Sequence, residues 1–389
     1  MHLSGKSIIV IGGGIGGLAC ALALRQRGAQ VQVLEQAPAL REVGAGLQIS
    51  PNGLRVIEAL GLGDGLRACS VRGRAVSLRD HRAGAEVLRL DLGRLPPDQG
   101  YHFVHRADLL DLLAQAAGAA GVEVRLGYRV AGVTGGQPAT VTLDGGAVLQ
   151  GDLVLGADGL HSVLRPVLNG LAAPFFTGQV AWRAVVPNTV GQGAEVQVHM
   201  GPGAHLVSYP LRDGRSLNLV AVQERADWAD EGWTHVDTGD NLRAAFQGFG
   251  GPVPAMLADL EAPGLWGLFR HPVARHWHGD GLALLGDAAH PTLPFLAQGA
   301  NMALEDAWVL AAELARGGDD ALARYQQRRR DRVCRVIAAA NGNAWKYHLR
   351  SPLIRFAAHT ALRLGGRLAP GRMLGQFDWL YRHDVTADP

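Results

Sequence analysis

The sequence predicts a doubly wound α/β domain that is interrupted by an antiparallel sheet and followed by helices. A strand, a glycine-rich turn, a helix and a second strand follow one another within about thirty residues near the N-terminus. Between residues 175 and 275, apolar and polar residues alternate with the period of two that is typical of strands with one buried face. Beyond residue 301 the pattern is mostly helical.

These patterns divide the 389-residue chain into four segments. We expect residues 1–174 and 276–320 to form the two parts of the doubly wound domain, 175–275 the antiparallel sheet, and 321–389 the C-terminal helices. The basic run RYQQRRRDR falls on a predicted helix, and we interpret it as a solvated face rather than a nucleic-acid surface.

The composition is that of an ordinary globular protein, with 48% hydrophobic and 19% charged residues and a net charge of +2. Nothing at this level indicates a nucleic-acid partner. Cys20, Cys69 and Cys334 form no C-x-x-C pair, which disfavours a metal site or a disulfide framework and favours the cytoplasm. The apolar stretch 8–24 is short and broken by glycines, so we expect no membrane span.

The glycine-rich turn carries the first chemical signal. Gly12, Gly14 and Gly17 form a G-x-G-x-x-G pattern, with Gly16 in the same turn, between a strand and a helix. In a Rossmann-like domain these glycines permit a tight turn, a close approach of a pyrophosphate and tight helix packing. Glu35 ends the next strand, where a carboxylate accepts a hydrogen bond from a ribose 2′-hydroxyl. The alternative is a purely structural turn.

Two further motifs extend this signal: GADGLHSVLR at 156–165 and GDAAHPTLPFLAQGANMALEDA at 286–307. With the first motif, in this order, they resemble the group A flavin monooxygenases, the aromatic hydroxylases that include salicylate hydroxylase, 3-hydroxybenzoate 6-hydroxylase and 6-hydroxynicotinate 3-monooxygenase. GAGLQISPNG at 44–53 and FVHRADLLDLL at 103–113 are also similar to that family. The resemblance covers residues 6–314 and implies a Rossmann-like FAD-binding domain with an inserted substrate-binding sheet.

The resemblance implies that FAD is bound by residues spread over the first and third segments. Asp287 is expected on a ribityl hydroxyl, Arg106 on the FAD, Asp158 near the pyrophosphate, and the helix start near the flavin ring. The full set is Gly12, Gly14, Gly16, Gly17, Glu35, Gly46, Arg106, Val130, Asp158, Asp287, Gly299, Ala300, Asn301 and Met302. Structural alternatives stay open: Asp287 as a turn cap, Arg106 as a surface residue, and Ser162 and Arg165 as braces.

The resemblance also implies the reaction. The chain has no second G-x-G-x-x-G motif, so NADH or NADPH is expected to bind transiently and reduce the flavin. O₂ then gives a C4a-hydroperoxyflavin, which transfers oxygen to a phenolic or N-heteroaromatic substrate. The protein has to exclude water, orient the ring and remove the phenolic proton.

The substrate pocket is expected on the antiparallel sheet. His205 and Tyr209 lie four residues apart in GAHLVSYPL and therefore on one face of a strand. The resemblance implies His205 as the general base and Tyr209 as the residue that orients the ring, because relatives carry His and Tyr at this spacing. A structural histidine is the alternative for His205, and His290 is a weaker catalytic candidate.

Four further residues are predicted to line the pocket. Leu47 replaces a His of the hydroxynicotinate enzymes, and Pro294, beside Phe295, replaces a polar residue of the 3-hydroxybenzoate enzymes. The pocket is therefore expected to be more apolar, with its substrate open to larger phenols. Arg183 is the nearest candidate for binding a carboxylate.

Two other functions are compatible with this fold: a flavin-dependent halogenase or reductase, and a binding protein that has lost the flavin. The chain lacks the W-x-W-x-x-I-P stretch of halogenases, and its phosphate loop, Glu35 and Asp287 are intact, which argues against both. The sequence leaves the oligomeric state open, with a homodimer among the alternatives.

Overall fold

A computed structural model describes residues 3–40, 46–225 and 235–387. Gly44 and Ala45 of the GAGLQISPNG motif lie outside these ranges. The strands are β1 (Ser7–Ile11), β2 (Gln30–Glu35), β3 (Gly46–Ile49), β4 (Ser70–Arg72), β5 (Ala75–Asp80), β6 (Glu86–Asp91), β7 (His102–His105), β8 (Glu123–Leu126), β9 (Val130–Thr134), β10 (Ala139–Leu143), β11 (Val148–Gly151), β12 (Leu153–Gly156), β13 (Phe175–Pro187), β14 (Glu195–Gly201), β15 (Ala204–Leu211), β16 (Ser216–Glu224), β17 (Gly264–Arg270), β18 (His278–Gly279) and β19 (Leu282–Leu284).

The α-helices are α1 (Ile15–Gln26), α2 (Pro51–Ala59), α3 (Gly63–Cys69), α4 (Arg106–Ala119), α5 (Arg165–Asn169), α6 (Gly239–Ala245), α7 (Val253–Leu257), α8 (Gly299–Arg316), α9 (Ala321–Tyr347), α10 (Pro352–Leu368), α11 (Pro370–Gly375) and α12 (Asp378–Tyr381). Short 3₁₀ helices span Leu92–Arg94, Gly286–Ala288 and Pro294–Leu296.

A six-stranded sheet in the order β18-β19-β12-β1-β2-β8 forms the doubly wound part. Its central pairs are parallel, as in Val10 opposite Val33 and opposite Leu155, and these side chains belong to one apolar core. Because the carboxyl ends of parallel strands share one edge, the turns after β1, β2, β12 and β19 meet there. The glycine-rich turn, Glu35, the Asp158 loop and the Asp287 turn are thereby brought to one side of the sheet.

A seven-stranded sheet in the order β17-β13-β16-β15-β14-β5-β6 faces that edge. Strands β5 and β6 form an antiparallel hairpin, and β5 also pairs in parallel with β14, far along the chain. The sheet therefore draws strands from the predicted first segment as well as from 175–275. The division of the chain into domains stays a prediction.

The fold class is confirmed: parallel and antiparallel sheets occur together, and the chain ends in helices. The prediction of a solvated basic run is wrong at its centre. Arg329 is fully buried, because α9 packs on α8 and the guanidinium forms ion pairs with Glu305 and Asp306. In the part of the chain that the structure describes, no helix is long and apolar enough to cross a membrane.

Candidate active site

A cavity of about 340 Å³ lies between the carboxyl edge of the six-stranded sheet and the face of the seven-stranded sheet. This volume is within the range of sites that hold small molecules. Five groups of residues and Arg106 line it: the turn into α1, the strand β3, the loop 157–161, the sheet residues of β13 and β15 to β17, and the segment 285–303. The predicted residues from both halves of the chain thus face one space.

The glycines of the first turn serve two different ends. A Cβ on Gly12, which has φ +103°, would lie 2.4 Å from the carbonyl oxygen of Ala157, and one on Gly17 would lie 2.0 Å from that of Gly12. Gly16 allows α1 to approach α8, since a Cβ would lie 3.2 Å from Ala303 Cβ. Gly14 is different: it lines the cavity, and apart from its neighbours in the chain no atom of the described residues lies within 4 Å of the place a Cβ would take. Only Gly14 leaves that space to a ligand.

Glu35 closes this turn. Its Oε2 accepts a hydrogen bond from the backbone N–H of Gly13 at 2.7 Å, and Oε1 accepts one from Ala37 at 2.8 Å. A carboxylate has about four acceptor positions, so capacity remains for a hydroxyl. The backbone N–H of Tyr128 donates to the carbonyl of Glu35, which places Val130, at the start of β9, near this outer end of the site rather than in the cavity wall.

The start of α8 points at the cavity. Gly299, Ala300 and Asn301 are the first three helical residues, so their N–H groups have no partner within the helix. Met302 departs from the prediction, because its N–H already donates to the carbonyl of Gln298 at 2.8 Å and it does not line the cavity. Asn301 does not line the cavity either, so the helix start can offer the N–H groups of Gly299 and Ala300 to it rather than four.

Buried polar side chains hold this helix start. The amide of Asn301 binds the backbone N–H of Ser50 at 3.1 Å and the carbonyls of Gln48 and Ala297. Gln298 donates to the hydroxyl of Ser50 at 2.9 Å. The segment from Gln48 to Ser50 thus holds the start of α8 through side-chain hydrogen bonds. In Asn301 the side chain makes these bonds, not the backbone N–H.

Three charged side chains reach the cavity: Arg106, Arg183 and Asp287. Burial lowers the pKa of Arg106 to about 10, with the positive charge of Arg183 acting in the same direction and Asp287 opposing. Burial likewise raises the pKa of Asp287, against the opposing influence of His290 and Arg106. These groups carry incompletely balanced charge, which is a mark of ligand-binding sites.

Asp158 and its neighbours form the loop beside the glycine-rich turn, close to Gly12. Asp158 Oδ2 accepts from the N–H of Val163 at 2.8 Å, whereas its buried Oδ1 has no hydrogen-bond partner among the described residues. The Arg165 guanidinium donates to the carbonyls of Ala288 and Ala289, so it braces the Asp287 turn from behind. Ser162 accepts from the N–H of Arg165.

His205 and Tyr209 both line the cavity from β15. His205 is buried against the Phe295 ring, 5.4 Å between centroids, and desolvation holds the pKa of its imidazole well below the ordinary value. Tyr209 shares a hydrogen bond with Gln48 and packs so closely on Gly46 that a Cβ there would lie 2.6 Å from its ring. Gly46 also donates its N–H to Asn218, so its nearest contacts are to the sheet.

The remaining predicted pocket residues form an apolar wall of the cavity and one cationic position. Leu47, Pro294 and Phe295 line the cavity. Arg183 also lines it, with its guanidinium 5.4 Å from the centre of the Trp266 ring. His290 does not act as an open base: its Nε2 lies 2.5 Å from Asp306 Oδ2, in a buried contact beneath the cavity.

Sequence reasoning missed several residues. Gln48 binds the Tyr209 hydroxyl, Trp266 lies against Arg183, and His348 contacts His205. Gln48 lay within a quoted motif and could have been found from its position next to Leu47. Trp266 and His348 carried no local signal, since they reach the site from distant strands and helices.

The described residues fit FAD. Open space at Gly14, the N–H groups of Gly299 and Ala300 at the start of α8, and the buried Arg106 form a cradle that runs from the first turn to the sheet. The model of the FAD binding domain family matches residues 6–340. The chain belongs to this family.

This flavoenzyme is 38% identical, over 88% of each chain, to 3-amino-4-hydroxybenzoate 2-monooxygenase from Streptomyces cremeus. It is 35% identical to 3-hydroxybenzoate 6-hydroxylase from Polaromonas naphthalenivorans (strain CJ2), over 97% of this chain and 96% of the relative. Its structure resembles that of Klebsiella pneumoniae HpxO complexed with FAD and uric acid, with a TM-score of 0.84, 29% identity and 96% of each chain covered.

These likenesses confirm the predicted family and main function. The flavoenzyme is an FAD-dependent monooxygenase that hydroxylates aromatic compounds, and enzymes of this type take their electrons from NAD(P)H. The halogenase, reductase and non-catalytic alternatives receive no support.

Proposed function

We propose that this flavoenzyme hydroxylates a hydroxybenzoate, that is, a phenol with a ring carboxylate, using O₂ and NAD(P)H. The observation that carries this proposal is Arg183. Its guanidinium lines the cavity on the Trp266 ring, and its Nε is buried without a hydrogen-bond partner among the described residues. Burial lowers the pKa of this arginine because its charge is removed from water. An anion bound beside it would offset this desolvation cost.

The sheet places Arg183 at a useful distance from the proposed base. Arg183 pairs with Val220, and Val220 pairs with Val207, so Arg183 and Val207 share one cross-strand row. His205 lies two residues along β15 from Val207. With strands about 4.8 Å apart and about 3.4 Å per residue, the Cα atoms of Arg183 and His205 are about 12 Å apart. That separation leaves room for a benzene ring between the two side chains.

The proposed roles of the protein groups follow from this arrangement. Arg183 binds the carboxylate in a charge-assisted pair, and neutral His205 accepts the phenolic proton as the ring is attacked. Tyr209, held by Gln48, and the apolar wall of Leu47, Pro294 and Phe295 orient the ring and exclude water. When bound, FAD supplies the activation and transfer of oxygen.

The proposed FAD contacts use the cradle already described. Glu35 would hold the ribose, the turn at Gly14 the pyrophosphate, Asp287 and Arg106 the ribityl chain, and the N–H groups of α8 the flavin ring. The relatives named for hydroxybenzoates support the substrate class. The uric acid in the HpxO structure is the competing class, an N-heteroaromatic without a carboxylate.

A substrate panel with one arginine variant tests the proposal. We expect coupled O₂ uptake with 3-hydroxybenzoate, salicylate or 3-amino-4-hydroxybenzoate, and none with uric acid. Arg183→Met should raise KM for the best carboxylate about 10- to 100-fold, since hydrogen bonds to charged groups contribute about 1.5–3 kcal/mol. KM for the matching benzamide should not change.

Arg270→Met is the matched control, because Arg270 also lies on an aromatic ring of the same sheet, 5.2 Å from the centre of Phe175, but does not line the cavity. An unchanged KM for the carboxylate in Arg183→Met, or turnover of uric acid alone, would contradict the assignment.

We also propose that two copies associate through α10, and that the enzyme works in the cytoplasm. The helix exposes Leu353, Phe356 and Leu368 at 82%, 70% and 82%, an apolar surface that a second copy can cover. Phe356→Glu should shift the sedimentation coefficient of a dimer to that of a monomer; a wild type that sediments as a monomer would contradict the dimer. The cytoplasm supplies NAD(P)H, and Cys20, Cys69 and Cys334 are free thiols.

A further inference from the structure

His205 is the inner end of a chain of polar groups that leads out of the cavity. Its Nδ1 lies 2.6 Å from Nε2 of His348, and Nδ1 of His348 lies 3.0 Å from Oε1 of Glu224. Arg350 then donates to Oε2 of Glu224 at 2.6 Å. The two histidines are buried, whereas the side chains of Glu224 and Arg350 are 32% and 71% exposed. The chain therefore connects the cavity with solvent.

Backbone hydrogen bonds fix this geometry. Glu224 ends β16, where its N–H donates to the carbonyl of Gly203 at 2.9 Å. The N–H of Gly203 in turn donates to the carbonyl of His348 at 3.2 Å, at the end of α9. His205 follows two residues after Gly203, on β15. The turn before β15 thus holds all three side chains in register with one another.

The carboxylate decides how the protons are arranged. An ionised carboxylate only accepts hydrogen bonds, so His348 has to carry its proton on Nδ1. Its Nε2 is then an acceptor, and His205 has to carry its proton on Nδ1 as well. The remaining nitrogen of His205, Nε2, has no hydrogen-bond partner among the described residues and is left with a lone pair. This is the form that a general base needs.

We propose that His205, His348 and Glu224 form a proton relay that removes the phenolic proton of the substrate to solvent. This inference rests on the proposed phenolic substrate. The phenol O–H bond breaks as His205 Nε2–H forms. His205 then passes its Nδ1 proton to His348 Nε2, and His348 passes its Nδ1 proton to Glu224, which releases it to water. His348 and Glu224 act through His205 and are positioning residues.

The charges around the relay support its resting state. Burial opposes ionisation of Glu224, but hydrogen bonds from Arg350 and His348 outweigh it and hold the pKa of the carboxyl below its ordinary value. Burial keeps the pKa of His348 below its ordinary value, against the opposing influence of Glu224. Tyr347, whose ring centre lies 5.3 Å from that of His205, has its pKa raised by burial to about 12. These directions favour an ionised Glu224 and neutral His205 and His348 at neutral pH.

The tautomers can be tested without any substrate. In FAD-loaded enzyme labelled with ¹⁵N-histidine, long-range ¹H–¹⁵N spectra assigned with His205→Gln and His348→Gln should show both rings protonated on Nδ1. In Glu224→Gln, the amide can donate to His348, so both rings should change to the Nε2–H form. A wild-type His348 protonated on Nε2 would overturn the relay.

The proton itself can be followed with 3-amino-4-hydroxybenzoate as the probe. Stopped-flow mixing with FAD-loaded enzyme in weakly buffered phenol red should show proton release on binding. Glu224→Gln should slow release at least about tenfold and lower kcat similarly, with the Kd of the probe within about twofold. Glu195→Gln is the matched control, because Glu195 is a carboxylate of the same sheet that pairs with Arg79 and Arg89 and does not line the cavity; it should stay within about threefold of the wild type.

The two proposals fail differently. No binding of the probe to the wild type would contradict the hydroxybenzoate assignment, and the histidine spectra would still decide on the relay. Tight binding with equal proton release in wild type and Glu224→Gln would overturn the relay and leave the substrate class intact. A weaker Kd with unchanged kcat in Glu224→Gln would also overturn it, since that is the effect of a structural contact.

Discussion

Two groups of buried charge lie on opposite sides of the first turns of α8, and they are balanced in opposite ways. Beneath the helix, Glu305 and Asp306 form ion pairs with Arg329 at 2.5 and 2.7 Å, and all three are fully buried. Arg332 adds a second cation to Glu305 at 2.7 Å. On the cavity side, the described residues place two arginines, Arg106 and Arg183, and one carboxylate, Asp287, in the lining.

The pKa directions record this difference. Burial alone would raise the pKa of Asp306, but His290 and Arg329 overcome it and lower the value to about 2. Asp287, with weaker partners, keeps a raised pKa, and that of Arg106 is lowered to about 10. The lower cluster is balanced by the protein itself and holds α8 to α9. In the cavity, the buried Arg183 Nε has no hydrogen-bond partner among the described residues, so we expect a bound anion to gain binding energy there.

Removing one cation from each side should therefore have opposite consequences, and this is the largest effect we expect. Arg329→Met leaves Glu305 and Asp306 buried without their shared cation and should lower the free energy of unfolding by about 3–5 kcal/mol. Arg183→Met removes an unbalanced charge and should leave that free energy unchanged or raised. Urea unfolding of the two variants measures both.

Arg332→Met controls for the loss of any arginine from α9, because Arg332 is less buried and Glu305 keeps Arg329. If Arg329→Met does not fold well enough to measure, the milder Arg332→Met should still unfold at lower urea than Arg183→Met. Equal stability of the wild type and Arg329→Met would show that the buried pairs do not hold α8 in place.

The change of stability with falling pH should distinguish the carboxyl of Asp306 from that of Asp287. Asp306 has a folded pKa of about 2 against an ordinary 3.8, so the unfolded chain binds its proton first. Its contribution is complete above pH 3.8 and is lost as pH falls towards 2. Asp306→Asn should therefore be less stable than the wild type at neutral pH and show a flatter decline over this window.

Asp287 should behave with the opposite sign. Because its folded pKa is raised, its carboxylate costs stability at neutral pH, and the cost is relieved as pH falls through the raised value. Asp287→Asn should stabilise FAD-free protein at pH 7, as followed by urea unfolding between pH 3 and 7. The same sign of change in both variants would mean that the two sites do not differ in charge balance.

The sequence predicted the features that depend on a few neighbouring residues. The turn at Gly12–Gly17, Glu35, the Asp287 turn and the start of α8 are each encoded within a few residues, since a backbone close approach or a free helix N–H needs no distant partner. The alternation at 204–211 was sufficient to place His205 and Tyr209 on one face. These features were predicted with their residues.

Pairings between distant segments could not be predicted in this way. Nothing in RYQQRRRDR shows that Arg329 faces two carboxylates of α8, and the β5–β6 hairpin carries no sign of β14. The contact of His205 with His348 joins residues 143 positions apart. Met302 failed for a subtler reason: the N–H count at a helix start depends on its first residue, which is 299 and not 301.

The smallest effect we expect concerns two glycines: Gly14, which lines the cavity, and Gly118, an exposed position of α4 outside it. Gly14 lies at φ −76°, which alanine adopts freely, and no atom of the described residues beyond its chain neighbours would touch its Cβ. Gly14→Ala should leave the unfolding of FAD-free protein unchanged but weaken FAD about tenfold, because the methyl group takes space proposed for the pyrophosphate. Fluorescence titration with FAD measures the change.

Gly118→Ala is the control. Gly118 is an exposed position of α4 that is equally open, so its substitution should leave FAD affinity unaltered and raise stability by about 0.5–1 kcal/mol. Equal FAD affinity in Gly14→Ala and the wild type would place the pyrophosphate elsewhere and remove the main reason for regarding this side of the molecule as built to receive a ligand.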